Sequence, residues 1–312
     1  MRALITGASG FLGRRLLARI SDPVVLTRDP ARTRGSLARA ELFAWDPLAG
    51  AAPAAAFRDV QAVFHLAGES VAQGRWSAAK KERIRASREA GTSNLVKTLA
   101  ELPVRPRVLV SASAIGFYGA RGDDPLDETS APGHDFLAGV CRAWESASAA
   151  ATPLGVRVVN PRIGIVLGRG GGALSKMLIP FKLGAGGPLG NGRQWMSWIH
   201  VDDLVGLLLH AAEQAEISGP LNAVAPNPVT NGEFTRLLGK ALHRPAFMPL
   251  PGFMLKLVVG EFGGVLLDSQ RVVPSVALRT GYDFRFPELA GALDDILDAD
   301  ADPPRPVGAH GP

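Results

Sequence analysis

The first thirteen residues constrain this chain most. Arg2-Ala-Leu-Ile-Thr6 is a short apolar run of strand character, Gly7-Ala-Ser-Gly10-Phe-Leu-Gly13 follows at once, and Arg14-Arg-Leu-Leu-Ala-Arg-Ile20 reads as a helix. A strand, a glycine turn and a helix in that order form a cradle for phosphate. Gly7 allows the tight turn, Gly10 lets a pyrophosphate approach the backbone, and Gly13 lets helix and strand pack closely. The helix start adds unpaired N–H groups and a positive dipole end. With the three glycines, Phe11 and Leu12 inside the turn are expected to face a bound dinucleotide.

Composition narrows the class. At 312 residues and 46% hydrophobic, the chain supports one large or two modest domains with a buried core. Its one cysteine, Cys141, makes no disulfide framework, and its six histidines lack the spacing of a His-Glu-x-x-His site, so no metal is expected. No charged-then-apolar leader is expected, and no apolar run nears the roughly 20 residues that span a bilayer. A cytoplasmic setting without membrane association is the simplest expectation. The net charge of +5 rests on scattered arginines with no basic run or aromatic interleaving, which argues against nucleic acid.

Apolar runs at 2–6, 23–27, 41–45, 61–66, 107–112 and 156–160 read as strands, and 11–20, 77–101 and 135–150 as helices. This alternation predicts a doubly wound parallel α/β sheet of the Rossmann type, with ligands beyond the C-terminal strand ends. Arg28, Asp46, Ala67-Gly68, Ser113 and Arg162 each follow a strand and are expected to share one crevice. The second half is less regular. Glycine-rich segments at 168–172 and 184–192 bracket a short helix at 173–183, read either as a substrate-contacting loop or as a surface excursion. His200-Val-Asp-Asp203 opens a helix with Asp202 or Asp203 as its cap, and Thr230-Asn-Gly-Glu233 has the capping-box pattern. The expected division is a dinucleotide-binding domain over 1–165 and 199–225, and a smaller, discontinuous α/β substrate region over 166–198 and 226–298. Residues 299–312 have the composition of a disordered tail.

The second strand speaks to the type of dinucleotide. NAD sites place an acidic residue about 20 residues past the glycines to hold the ribose 2′-OH. Here the strand ends in Arg28, whose guanidinium suits a 2′-phosphate, and Arg32 lies one helical turn further. NADP(H) is therefore favoured over NAD(H), although Asp29 keeps the second alternative open. Asp46 is either a contact for the adenine amino group or a plain turn residue. Leu66, Ala67 and Gly68 end the fourth strand with side chains that let a cofactor lie against the backbone, and His65 is expected to be packed inside.

Several runs occur in a telling order: Gly7-x-x-Gly10-x-x-Gly13, His65-Leu-Ala-Gly68, Ser113-Ala-Ile-Gly-Phe-Tyr-Gly119 and Ile199-His-Val-Asp-Asp203. In these the chain resembles the extended short-chain dehydrogenase/reductase superfamily, whose members include nucleotide-sugar epimerases and dehydratases. Arg75-Trp76, Asn160-Pro-Arg162, Arg193-Gln-Trp-Met-Ser-Trp198 and Leu267-Asp-Ser-Gln-Arg-Val-Val-Pro274 resemble an atypical epimerase-like subgroup with a characteristic C-terminal segment. The resemblance implies an oxidoreductase or epimerase-like enzyme acting on a small polar substrate. It also implies cofactor contacts from Pro161 and Arg162 and a homodimer through 77–101 and 135–150, with a monomer as the alternative. Arg193 beside Trp195 and Trp198 either holds an anionic or planar substrate or marks two tryptophans buried in a core, and Glu69 is a further substrate candidate.

Enzymes of that superfamily pair a tyrosine with a lysine four residues later, whose ammonium favours the phenolate. Neither tyrosine here has that partner: Gly122 follows Tyr118 at the required spacing and Phe286 follows Tyr282. Leu137 and Cys141 occupy the approximate places of the missing pair. Ser113 and Tyr118 are the remaining catalytic candidates. Ser113 either orients a substrate oxygen or satisfies nearby backbone, and Tyr118 is either an acid/base or a structural residue. Asp135 reads better as a helix cap, and Ser77-Ala-Ala-Lys80 as a capped helix start. The loss of the pair leaves a second reading open, a catalytically silent NADP(H)-binding sensor or scaffold.

Overall fold

The structure, a computed structural model, describes residues 1–35 and 37–298. The tail expected at 299–312 lies outside the described residues. The first half runs β1 (Arg2–Thr6), α1 (Phe11–Arg19), β2 (Asp22–Thr27), α2 (Pro30–Arg34), β3 (Glu41–Ala44), β4 (Ala62–His65), α3 (Ala78–Glu101), β5 (Val108–Ser111), β6 (Ser113–Ala114), β7 (Pro125–Leu126), α4 (Phe136–Ala149) and β8 (Arg157–Ile163). The second half runs β9 (Ile165–Gly168), β10 (Gly171–Gly172), α5 (Leu174–Lys182), β11 (Trp195–Met196), β12 (Trp198–His200), α6 (Val201–Glu213), β13 (Gly219–Ala223), β14 (Val229–Thr230), α7 (Asn231–Ala241), α8 (Gly252–Val259), α9 (Phe262–Val265), β15 (Arg271–Val272), α10 (Ser275–Arg279) and α11 (Leu289–Leu297).

The main sheet is parallel, in the order β13-β8-β5-β4-β1-β2-β3, with β6 continuing beside β8. From β1 the chain winds outward through β2 and β3, then crosses to β4 and winds the other way. The reversal point between β1 and β4 is where such sheets open a crevice. The strands are near-continuous apolar runs because both faces are covered. Successive residues alternate between the two cores. Ile5, Phe64 and Val110 pack with Leu16 of α1 and Leu204, Leu207 and Leu208 of α6. Leu4, Val63 and Leu109 pack with Leu95 and Leu99 of α3. A third core gathers Trp198, Phe234, Leu238, Phe286 and Leu293 from the second half. The doubly wound α/β architecture is the one the alternation predicts.

Helix starts follow local chemistry. Ser77 caps α3 by accepting the Lys80 N–H, Asp135 caps α4 through Ala138, and Thr230 caps α7 through Glu233. Two expectations are corrected. Helix α6 is capped by His200, whose Nδ1 accepts the Asp202 N–H, and the buried Asp203 instead accepts the N–H groups of Arg285 and Phe286. The glycines at 168–172 form the tight antiparallel hairpin of β9 and β10 rather than an irregular loop. They are small because Phe11 lies beneath them: a Cβ on Gly171 would stand 2.2 Å from its ring.

Beneath the reversal point, His65 is fully buried between two threonines, Thr6 Oγ1 at 2.8 Å from Nδ1 and Thr92 Oγ1 at 3.1 Å from Nε2. Burial pushes its pKa down to about 4. The unfolded chain, with an ordinary histidine, binds this proton at higher pH, so stability rises with pH across the interval. We expect folding stability to fall by about 3 kcal/mol from this group as pH drops from 6.5 through 4. Denaturant titrations at stepped pH check this against His65→Gln, which should lose that part of the slope. An identical slope in both proteins contradicts the assignment.

Candidate functional site

A crevice of about 380 Å³ opens at the C-terminal ends of β1, β2 and β4. Its floor depends on a backbone contact. Gly7 has φ +73°, and a Cβ there would lie 2.9 Å from Ala67 N and from the Leu66 carbonyl. Thr6 Oγ1 fixes the same junction by accepting the N–H groups of Leu66 and Ala67, each at 3.1 Å. Gly13 brings α1 against the turn, since a Cβ there would fall 2.2 Å from the Gly7 carbonyl oxygen. Gly10 is the N-cap of α1 and no side chain caps that helix. An uncapped helix start beside a backbone-lined floor fits a diphosphate. The side chains of Phe11 and Leu12 turn away, the first under the β9–β10 hairpin and the second into the sheet core, so they contribute backbone only.

Arg28 lines the crevice at the end of β2, and its exposed guanidinium makes no ion pair or hydrogen bond among the described residues. The neighbouring Asp29 caps α2, accepting the Arg32 N–H at 2.9 Å. The carboxylate that kept a 2′-OH contact open is thus committed to local structure. Arg32 is exposed on α2 and is not part of the crevice wall. Asp46 is part of it, with one carboxylate oxygen accepting the Leu48 N–H at 3.0 Å. Leu66, Ala67, Gly68 and Glu69 form the opposite wall. Lys80, buried at the start of α3, meets Glu69 at 2.5 Å and holds its carboxyl below the usual range.

Deeper in the fold, Ser113 Oγ donates to Glu145 Oε1 at 2.7 Å. Arg162 grips both oxygens of Glu145, each at 2.9 Å, and stacks 3.5 Å over the Phe117 ring. Its remaining Nη1 donates to the Tyr118 hydroxyl at 2.9 Å. That hydroxyl in turn faces Asn222 Oδ1 at 2.6 Å and the Asp127 carbonyl at 2.9 Å. Tyr118 is fully buried, and burial pushes its pKa up to about 12 despite Arg162. This corrects two expectations. Tyr118 is a buried structural link, and the charge of Arg162 answers Glu145 rather than the cofactor. Pro161 is likewise buried within β8. The sequence reading missed Glu145. Its signal was the spacing, since it follows Leu137 and Cys141 on the same face of α4 at four-residue steps.

The places of the missing pair are apolar. Leu137 packs on Gly116, and the Cys141 thiol, 3.7 Å from the Ala114 carbonyl, has its pKa pushed up to about 11 by burial. Three expected substrate residues lie off the crevice wall. Trp198 is fully buried in the third core, its Nε1 donating to the Asn227 carbonyl at 3.0 Å, so it is a core residue. Trp195 is half-buried under Arg271 and donates to Asp123 at 2.8 Å. Arg193 is exposed. Among the described residues no group of three His, Cys, Asp or Glu is placed to hold a metal, and no helix is long and apolar enough to cross a membrane.

Tyr118→Phe separates structure from chemistry. Removing the hydroxyl leaves Asn222 Oδ1 without its buried donor and takes one acceptor from Arg162 Nη1, at a cost of about 1–3 kcal/mol. The expected result is a lower melting temperature with nucleotide affinity within about twofold of wild type. A variant of undiminished stability that has lost turnover would restore the tyrosine as an acid/base.

Comparison with known proteins agrees with this geometry. Residues 3–223 match the NAD dependent epimerase/dehydratase family, and residues 250–296 match a domain of unknown function, DUF1731. The chain is 41% identical over 311 residues to the chloroplastic epimerase family protein SDR39U1 homolog of Arabidopsis thaliana, covering 95% of this chain and 87% of that protein. It is 38% identical to the human epimerase family protein SDR39U1, covering 95% of this chain and all of the relative. The crystal structure of human SDR39U1 with NADPH superposes with a TM-score of 0.84 at 36% identity, covering 95% of this chain and 99% of that one. The chain therefore belongs to the NAD dependent epimerase/dehydratase family and carries that family's fold together with the DUF1731 segment.

Proposed function

We propose that the protein binds NADP(H) and acts as an oxidoreductase or epimerase-like enzyme on a small polar substrate in the cytoplasm. One observation carries the choice of cofactor: Arg28 stands open on the crevice wall while Asp29 is committed as a helix cap. A planar guanidinium in that position suits a 2′-phosphate, and Asp29, bonded to the start of α2, is not part of the crevice wall. The NADPH in the human relative supports the same choice.

When bound, the nicotinamide supplies or accepts a hydride. The protein's part is binding and orientation. The start of α1 and the Gly7–Gly10 turn hold the diphosphate, and Arg28 holds the 2′-phosphate. Ser113 directs its only proton to Glu145, so its oxygen presents a lone pair. Such a group orients a substrate hydroxyl rather than a carbonyl. Arg162 holds Glu145 in place for this through both carboxylate oxygens.

A second reading is favoured by a specific observation. With Leu137 and Cys141 in place of the proton-transfer pair and Tyr118 sealed off, the crevice serves equally a dinucleotide sensor without turnover. Purified protein with NADPH and a panel of carbonyl substrates, or NADP⁺ and the matching alcohols, decides between them by absorbance of the reduced cofactor. Turnover supports the enzyme, and tight binding with no turnover supports the sensor. For the cofactor, Arg28→Ala should weaken NADPH about tenfold or more while leaving NADH within about twofold, measured by fluorescence titration. Equal losses for both nucleotides would remove the case for the phosphorylated form.

A further inference from the structure

Most of the large hydrophobic side chains exposed among the described residues fall in two stretches of the second half. Ile179 and Leu183 end α5, Phe247 precedes α8, and Phe253 and Leu257 lie on α8, each between 65% and 79% exposed. Elsewhere such residues occur singly, at Met1, Leu48, Val104 and Leu278, as on any protein surface. Contacts join the two stretches into one corner. Residues 186–190 run beside 248–250, the Met248 N–H donating to the Gly186 carbonyl at 3.2 Å and the Leu250 N–H to the Pro188 carbonyl at 2.9 Å. At the other end, Lys176 of α5 donates to the Ala72 carbonyl and Arg75 to the Leu257 carbonyl of α8, each at 2.7 Å. Helices α5 and α8 are thus tied to each other at one end and to the 72–75 loop at the other.

The charge at this corner has one sign. Residues 174–192 and 242–260 contain no Asp or Glu, while Lys176, Lys182, Arg244 and Lys256 all stand exposed there. None of the four is in an ion pair among the described residues, although Lys256 feels the half-buried Asp268 through space. Glu261, which follows the second stretch, is paired with Lys81. Apart from the lysines, Ser175 is the one exposed polar side chain within 175–183 and 247–257. A protein partner would need directional polar contacts, about one hydrogen bond per 100–200 Å², and lysine is depleted in such interfaces. Apolar side chains flanked by lysines suit an anionic bilayer instead, where the first enter the headgroup boundary and the ammonium groups reach phosphate. The expectation of no membrane association came from the lack of a bilayer-spanning run, which a helix lying on the surface does not need.

We propose that the α5–α8 corner docks on the surface of an anionic lipid bilayer, Phe253 and Leu257 entering the headgroup boundary and Lys182 and Lys256 meeting lipid phosphates. The contact brings the 72–75 loop, which follows the Leu66–Glu69 wall of the crevice, to the bilayer. It does not depend on which nucleotide the crevice holds.

The test is co-sedimentation of the full chain with vesicles of phosphatidylcholine, alone or mixed with an equal part of phosphatidylglycerol. The protein should bind the mixed vesicles about tenfold more tightly than the neutral ones and lose that difference as salt is raised. Phe253→Ser with Leu257→Ser should weaken binding to the mixed vesicles about tenfold or more. Both side chains are exposed, so the melting temperature should hold. Ile179→Ser with Leu183→Ser carries the same expectation if the first pair does not fold. Lys182→Glu with Lys256→Glu should abolish the preference for anionic vesicles, and Val104→Ser, exposed after α3, should match wild type. Wild-type protein that stays in solution with the mixed vesicles overturns the proposal, and so does a folded Phe253→Ser/Leu257→Ser variant that binds them as well as wild type. A wild-type dimer that these substitutions split, with no vesicle binding, assigns the corner to a second copy and overturns it too.

Discussion

Gly7 meets the backbone of Leu66 and Ala67 at a separation that admits no Cβ. The contact brings the end of β1 against the end of β4 at the point where the strand order reverses. Thr6 reinforces it with its hydroxyl, and His65, itself held by Thr92, meets that hydroxyl from below. A larger residue at position 7 would face both a left-handed backbone and a steric clash. It would also displace the turn that places the start of α1 at the crevice. The phosphate cradle therefore depends on a packing condition between two strands as much as on the loop's own flexibility.

A second arrangement holds the inner corner. Burying Arg162 and Glu145 removes two charges from water, and desolvation on that scale is not recovered by a loosely paired ion. Here the pair is bidentate, Ser113 supplies a further donor to Glu145, and Tyr118 accepts from the remaining arm of Arg162. Each member is satisfied, which makes such a network rigid rather than costly. It ties β6, β8, α4 and the 115–118 turn together, and Asn222 extends it to β13. The groups that looked catalytic in isolation are parts of one connected support.

The fold was legible because its signals are local. Strand and helix alternate with clear apolar periodicity, and Ser77, Asp135 and Thr230 each announce a helix start by the residue type that satisfies an orphan N–H. The phosphate turn was legible for the same reason. The readings that needed correction depended on residues distant in the chain. Nothing near Trp198 in sequence shows that Phe234 and Phe286 will enclose it, and nothing near Arg162 shows that Glu145 will take its charge. The glycines at 168–172 suggested flexibility, but their smallness answers the ring of Phe11 more than 150 positions earlier.

Three buried titratable groups behind the crevice share one property. Burial moves His65 down to about 4 and Cys141 and Tyr118 up to about 11 and 12, in each case favouring the neutral form. Among the charges nearby, Glu145 is paired with Arg162 and Glu69 with Lys80, while Arg28 stands open. Between pH 5 and pH 9 none of these buried neutral groups changes its protonation. These three groups therefore keep a constant electrostatic setting over that interval. In the enzyme reading proposed above, the proton that accompanies the hydride comes from water or from the substrate itself, with Ser113 and Glu145 restricting which oxygen can approach.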